Sequence, residues 1–329
     1  MGVKSDGSAP NTRYSTVICK RSAASSAAAP EGKRALGTLW RMTVRSRDRV
    51  LVTGAASGLG LALVARLLER DCRVLATDVH AERPDSLSAL GATTPGGGSL
   101  TYRRLDVRSD EEWESAREWV EDAWKGIDVV VNNAGVASGG RIELTTSEEW
   151  EWITEINLLG VARGCRTFVP LLKQQRWGTI VNTASAAGLV HPPRMSEYNA
   201  VKAGVVALSE TLRWELEPYG VAVSVVCPSF FRTNLADSIR SADPDARASA
   251  RELIDGSKRS ADTVAVEVLR QLDAGKHLIL PDREARIAYA AKRFVPSLYR
   301  AAMLRTARKA AAEDEARGGP RTAGAQVRR

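Results

Sequence analysis

The sequence predicts an α/β fold: a doubly wound parallel sheet of about seven strands with helices on both faces. Three observations carry this. Short apolar runs of strand length alternate with helix-spaced apolar patterns from residue 50 to residue 281. The first apolar run opens directly into a glycine-rich turn followed by a helical pattern. The chain of 329 residues is long enough for one large core plus tails.

The first strand is expected at residues 50–52, a short apolar run suited to a buried parallel strand. Gly54, Gly58 and Gly60 then break the pattern where the chain must turn sharply. Leu61, Leu63, Val64, Leu67 and Leu68 follow with helical spacing. A helix start of this kind presents unpaired backbone N–H groups to a pyrophosphate. The second strand, 73–77, ends at Asp78, 24 residues after Gly54. An acid there suits the adenosine ribose hydroxyls and repels a 2′-phosphate. NAD is therefore the preferred cofactor, with NADP left open by His80 and Arg83 nearby. The Gly-x-x-x-Gly-x-Gly spacing differs from the commoner dinucleotide fingerprint, and taken alone it reads as a plain turn.

Further along, the strand at 129–131 runs into Asn132-Asn133-Ala134-Gly135, and the strand at 179–181 leads to Ser185. A helical pattern then carries Tyr198 and Lys202 four residues apart, on one face. An ammonium beside a phenol favours the phenolate, so Tyr198 is expected to titrate nearer neutrality than a free tyrosine. Such a phenol exchanges a proton with an alcohol or carbonyl. An isolated Tyr-x-x-x-Lys would more simply be a solvated helix face; the ordered motifs around it reverse that preference.

Those motifs resemble the short-chain dehydrogenase/reductase family, standard single-domain type, over roughly residues 47–281. The resemblance implies a Rossmann-like fold and an NAD(P)-dependent oxidoreductase that interconverts a secondary alcohol and a ketone. It assigns Gly54, Ser57, Gly58, Leu59 and Gly60 to the pyrophosphate and Asp78 to the ribose. Asp106 and Val107 border the adenine; Asn133, Ala134 and Gly135 line the cofactor cleft. Tyr198 is the general acid/base, Lys202 tunes it and holds the nicotinamide ribose, and Ser185 orients the substrate oxygen. Asn157 holds a water that relays the proton. Pro228 and Thr233 flank the nicotinamide. The family's usual Pro-Gly after the sixth strand (Val221–Val226) is Pro228-Ser229 here, which puts the geometry of that loop in question.

Substrate identity is weakly encoded. Ser185, Val190, Met195, Phe230 and Phe231 are candidate substrate contacts, and their apolar character points to a hydrophobic small molecule. The same side chains could instead pack a mobile lid between Phe230 and about residue 260. His191 is a further loop residue near the pocket. The alternative reading is an NAD-binding regulatory protein with this fold and little turnover; a screen for dinucleotide reduction separates the two. Relatives with these motifs imply a homodimer or homotetramer.

The net charge of +8 is unevenly spread. Residues 1–46 carry +6, residues 47–281 carry −5, and residues 282–329 carry +7. A nucleic-acid partner needs a basic folded surface, so none is expected. Residues 1–46 are expected to be a disordered extension, rich in Ser, Ala and basic residues. They resemble an organellar transit peptide in composition, although initiation at Met42 is the simpler explanation. Four scattered cysteines and three dispersed histidines show no metal-ligand spacing, so no metal is expected. Reduced thiols suit a cytoplasmic protein. Residues 282–329 read as a helical segment with Pro296 interrupting it, followed by a basic tail. A helix packed on the domain or on a neighbouring subunit is preferred there over a substrate lid or a membrane-surface contact.

Overall fold

The computed structural model describes Gly2 and residues 43–316 apart from Asn234, Ala236 and Asp237. The expectations for the N-terminal extension, the start at Met42 and the final basic tail lie outside the described residues.

Seven parallel strands form one sheet in the order β3-β2-β1-β4-β5-β6-β7. They are β1 (Arg49–Thr53), β2 (Arg73–Asp78), β3 (Ser99–Arg104), β4 (Val129–Asn132), β5 (Gly178–Thr183), β6 (Val221–Val226) and β7 (Leu278–Ile279). The strand order reverses between β1 and β4, and open α/β sheets bind ligands at such a point, beyond the carboxyl ends of the strands. Register is fixed by apolar residues on both faces. In β1, Val50 and Val52 join one core while Leu51 joins the other. Helices α1 (Gly58–Glu69) and α9 (Ala261–Asp273) cover the first face. Helices α3 (Asp110–Trp124), α5 (Gly160–Gln175) and α7 (Ser196–Leu216) cover the second. The remaining helices are α2 (Asp85–Ser88), α4 (Ser147–Thr154), α6 (Ala187–Val190), α8 (Pro244–Asp255), α10 (Arg283–Phe294) and α11 (Pro296–Ala316).

Helix starts follow the sequence. Thr146 caps α4 in a reciprocal box with Glu149, and Ser109 caps α3 through the Glu112 amide. Proline at position 296 does not merely interrupt the C-terminal helical pattern. It opens α11, as the first turn of a helix tolerates a missing N–H.

Two amide-bearing strands stitch the sheet centre. Asn132 Nδ2 donates to Asn182 Oδ1 at 2.8 Å, and Asn182 Nδ2 donates to Ser209 Oγ on α7 at 3.0 Å. Asn182 thus bridges Asn132 on β4 to Ser209 on α7 within the buried sheet centre, which ties β4, β5 and α7 into one arrangement.

Candidate active site

The carboxyl ends of β1, β4, β5 and β6 open onto a cleft of about 930 Å³. Of the twenty-one residues assigned from the sequence to catalysis, cofactor or substrate, all but Asn157 and Gly60 line it. Those two stand directly behind its wall.

At the nucleotide end, β1 turns through Gly54 at φ +63° and Gly58 at φ +54°. A Cβ on Gly54 would stand 2.7 Å from Ala134 Cα, so β1 and the turn after β4 approach closer than any side chain permits. Thr53 Oγ1 accepts from the amides of Asn133 and Ala134, both at 3.0 Å, and Asn133 Nδ2 returns a bond to Thr53 O at 3.0 Å. Ser57 precedes α1 without making a side-chain cap, so the helix start keeps its backbone donors for an anion. Thr233 lies over this turn: its Oγ1 would be 2.6 Å from a Cβ placed on Gly58.

Asp78 closes β2 at the lip of the cleft. One carboxylate oxygen accepts from Ala56 N at 2.9 Å, and the other accepts from Val79 N at 2.8 Å and meets His80 Nδ1 at 2.8 Å. Arg83 is turned away, donating to Leu87 O and Gly91 O. Arg108 pairs with Asp106, whose carboxyl it holds below the usual value by a side-chain hydrogen bond. A glycine turn, an uncapped helix start and an acid at the second strand's end therefore fit an adenine dinucleotide.

At the chemical end, Ser185, Tyr198 and Lys202 converge. Ser185 Oγ accepts from Ala187 N at 3.1 Å, donates to Pro228 O at 3.4 Å and lines the same cleft as the Tyr198 phenol. Lys202 Nζ donates to Thr183 O at 3.1 Å and lies 5.9 Å from the Tyr198 ring centre. A Cβ on Gly135 would meet Asn157 Oδ1 at 3.1 Å and Lys202 Nζ at 3.5 Å, so that residue is the common floor of the site. Asn157 sits in a π-helical turn, Glu155–Leu159, between α4 and α5. Its amide clamps Val136 from both sides, accepting from Val136 N and donating to Val136 O, each at 2.8 Å.

One expectation is corrected. Tyr198 does not titrate nearer neutrality in this site. Burial pushes its phenol above the ordinary value, and the nearby Ser185 hydroxyl offsets this only in part. Lys202 is drawn down to about 8 by the same burial. The two residues share one helix face, as their spacing predicts, and burial sets the direction for each. A second point concerns Ser229. Its amide donates to Asp282 Oδ2 at 2.7 Å, and Asp282 is fully buried against Arg259 at 3.2 Å. The departure from Pro-Gly is thus held by a carboxylate ahead of α10.

The substrate end is apolar. Val190, Met195, Phe230 and Phe231 line it as expected. Phe231 is also packed into the α1/α9 core, whereas Phe230 is 38% exposed. Sequence reasoning missed Trp152, whose ring carries the Arg240 guanidinium at 4.7 Å, and Ala285 and Ala288 of α10. None of the three has a local signal, since all reach the cleft through long-range packing. The 230–260 segment is clasped to the wall: Asp243 accepts from Arg141 Nε and Nη2, each at 3.0 Å, and Ser241 Oγ donates to Gly139 O at 2.7 Å. His191 is occupied elsewhere, meeting Lys292 Nζ at 2.8 Å and Gly188 O at 3.1 Å.

This fold and cleft define an NAD(P)-dependent oxidoreductase acting on CH–OH groups. The sequence model of the short chain dehydrogenases matches residues 48–244, and the chain belongs to that family. It is 32% identical over 189 residues to D-beta-hydroxybutyrate dehydrogenase of Rhizobium meliloti (strain 1021), covering 57% of this chain and 72% of that one. It is 32% identical over 207 residues to the NADP-dependent (R)-specific alcohol dehydrogenase of Lentilactobacillus kefiri, covering 61% and 81%. Among solved structures, a short chain dehydrogenase/reductase from Burkholderia phymatum in complex with NAD superposes with a TM-score of 0.68. It is 26% identical, over 75% of this chain and 95% of that chain.

Proposed function

We propose that the protein interconverts a hydrophobic secondary alcohol and its ketone, prefers NAD to NADP, and uses Tyr198 as general acid/base. The single observation that carries the reading is the convergence of Ser185, Tyr198 and Lys202 on the cleft that also holds the glycine turn and Asp78. Bound nicotinamide dinucleotide supplies the hydride acceptor or donor and, when oxidised, a positive charge near the phenol. In oxidation Tyr198 takes the hydroxyl proton, while Ser185 holds the substrate oxygen as it becomes a carbonyl. Lys202 steadies the tyrosinate and the nicotinamide ribose. Asn157 keeps a donor and an acceptor valence beyond its Val136 clamp, enough for the water that passes the proton to solvent.

Asp78 supports the NAD preference, because its carboxylate at the lip repels a 2′-phosphate and neither Arg83 nor Arg108 is turned to neutralise one. The apolar lining of Val190, Met195, Trp152 and Phe230 supports a hydrophobic substrate. A homodimer or homotetramer through α5 and α7 is part of the same reading; Trp214 on α7 is 63% exposed in the single chain.

The test is dinucleotide reduction with NAD and with NADP across hydrophobic secondary alcohols, for the wild type and Tyr198→Phe. The expected result is turnover that favours NAD and falls about 10²–10⁴-fold in the variant, with NAD binding retained. Near-native turnover by the variant would remove Tyr198 from the chemistry. Dinucleotide binding without turnover of any alcohol would favour the regulatory alternative.

A further inference from the structure

Helices α10 and α11 have two unlike faces. The inner face is fixed to the catalytic body. Ala285 and Ala288 line the cleft, Lys292 Nζ donates to Leu189 O at 2.5 Å, and Tyr299 hydroxyl donates to Val190 O. Further along α11, Arg194 Nη2 donates to Ala310 O at 2.8 Å and pairs with Asp314. At 100° per residue, positions 285, 288 and 292 share one side of α10, and 287, 290 and 294 share the other.

The outer side is apolar and basic. Ile287, Phe294, Val295, Leu298 and Leu304 are 56%, 74%, 46%, 63% and 44% exposed. They make up five of the twelve large apolar side chains exposed among the described residues, and three of the five sit at the elbow where α10 meets α11. Arg283, Arg286 and Arg293 are exposed on α10, and Arg300, Arg305 and Arg308 on α11. Glu284 is the one acid from 283 to 309. The exposed acids Glu313 and Glu315 lie at the far end of α11, about 25 Å from the elbow at 1.5 Å per residue.

From this face we infer that the α10–α11 elbow docks the enzyme on an anionic lipid surface. Phe294, Val295 and Leu298 enter the headgroup boundary, and the surrounding guanidinium groups meet lipid phosphates. Charge selects this occupant. A second copy seated face to face would set the same arginines against one another. A nucleic acid would satisfy the arginines but leave Phe294 and Leu298 in water. An anionic bilayer satisfies both. The sequence reading favoured a helix packed on the domain or on a neighbouring subunit; the inner face is packed on the domain, and the outer face is the one the docking uses. Because the inner face of the same helix lines the cleft, docking places the mouth of the apolar pocket beside the membrane. That placement rests on the proposed hydrophobic substrate; the docking itself does not.

Flotation of the full-length protein with vesicles tests the docking without any need for turnover. Vesicles of phosphatidylcholine alone are compared with vesicles of equal parts phosphatidylcholine and phosphatidylglycerol. The wild type is expected to float with the anionic vesicles, less as salt is raised, and not with the neutral ones. Two double variants, Phe294→Asp with Leu298→Asp and Arg293→Glu with Arg300→Glu, should each weaken binding about tenfold or more. Both keep the N- and C-terminal basic tails, and unchanged thermal unfolding and NAD binding show that the fold is intact. Flotation unaffected by both variants, or absent in the wild type, overturns the proposal. So does concentration-dependent self-association that the same substitutions abolish, or a preference for a duplex oligonucleotide over anionic vesicles.

Discussion

The two ends of the cleft are built on different principles. The nucleotide end is a backbone device: β1, the glycine turn and the loop after β4 lie so close that Gly54 has no room for a side chain. The substrate end is a side-chain device. Arg141 clasps the 230–260 segment through Asp243, and Lys292 to Leu189 O, Tyr299 to Val190 O and Arg194 to Asp314 fix α10 and α11 beside it. Backbone devices tolerate little change and so serve one ligand across many enzymes. Side-chain clasps can be exchanged one at a time, which lets specificity drift while the chemistry stays fixed.

The sharpest way to break the first end is Gly54→Ala. A Cβ at φ +63° and 2.7 Å from Ala134 Cα adds backbone strain to overpacking, about 2–4 kcal/mol together. Thermal unfolding should fall accordingly, and a fluorescence titration should show NAD affinity reduced more than tenfold. An unchanged titration would mean that the turn does not set the nucleotide site.

Lys202 joins the two ends, and its effect on stability is opposite in sign to its effect on activity. Burial lowers its folded value to about 8 from an ordinary 10.5, so between those limits the folded chain holds fewer protons than the unfolded one. Stability therefore rises with pH across that window, and below about 8 the cost of burying the charge is present in full. Lys202→Met should stabilise the ligand-free protein by up to about 3 kcal/mol at neutral pH while abolishing turnover. Denaturant melts should show that gain shrinking from pH 8 towards 10.5. A gain independent of pH would assign it to packing instead.

The smallest effect is expected at the substrate end. Asp243→Asn weakens the clasp on Arg141 by about 1 kcal/mol, roughly fivefold. Steady-state kinetics should show the KM for a hydrophobic alcohol raised by that factor, with the NAD dissociation constant unchanged. A change in NAD affinity instead would show that the lid and the nucleotide end are coupled.

The same contrast explains what could be read in the sequence. Strands β1, β4, β5 and β6 and the turn at Gly54 and Gly58 were legible, because local periodicity and glycine placement dictate them. Tyr198 and Lys202 were legible as a pair, because helical spacing fixes their face. Their electrostatics were not: burial at the sheet's carboxyl end depends on α4, α6 and the loop after β6, all distant in the chain. Trp152, Ala285 and Ala288 were invisible for a related reason, since an aromatic or an alanine on an amphipathic helix looks the same whether it faces a core or a cleft. Even the Pro296 break was half legible. Proline announced a discontinuity, but only packing decides whether a helix ends there or begins.

Cys72, Cys165 and Cys227 are buried, and burial pushes each thiol up to about 12. At neutral pH they are almost entirely protonated and shielded, hence poor targets for alkylating reagents. With Cys19 replaced, a single cysteine introduced on the lid or on the outer side of α10 becomes the one readily labelled position. Either element can then carry a fluorophore without dismantling the interior.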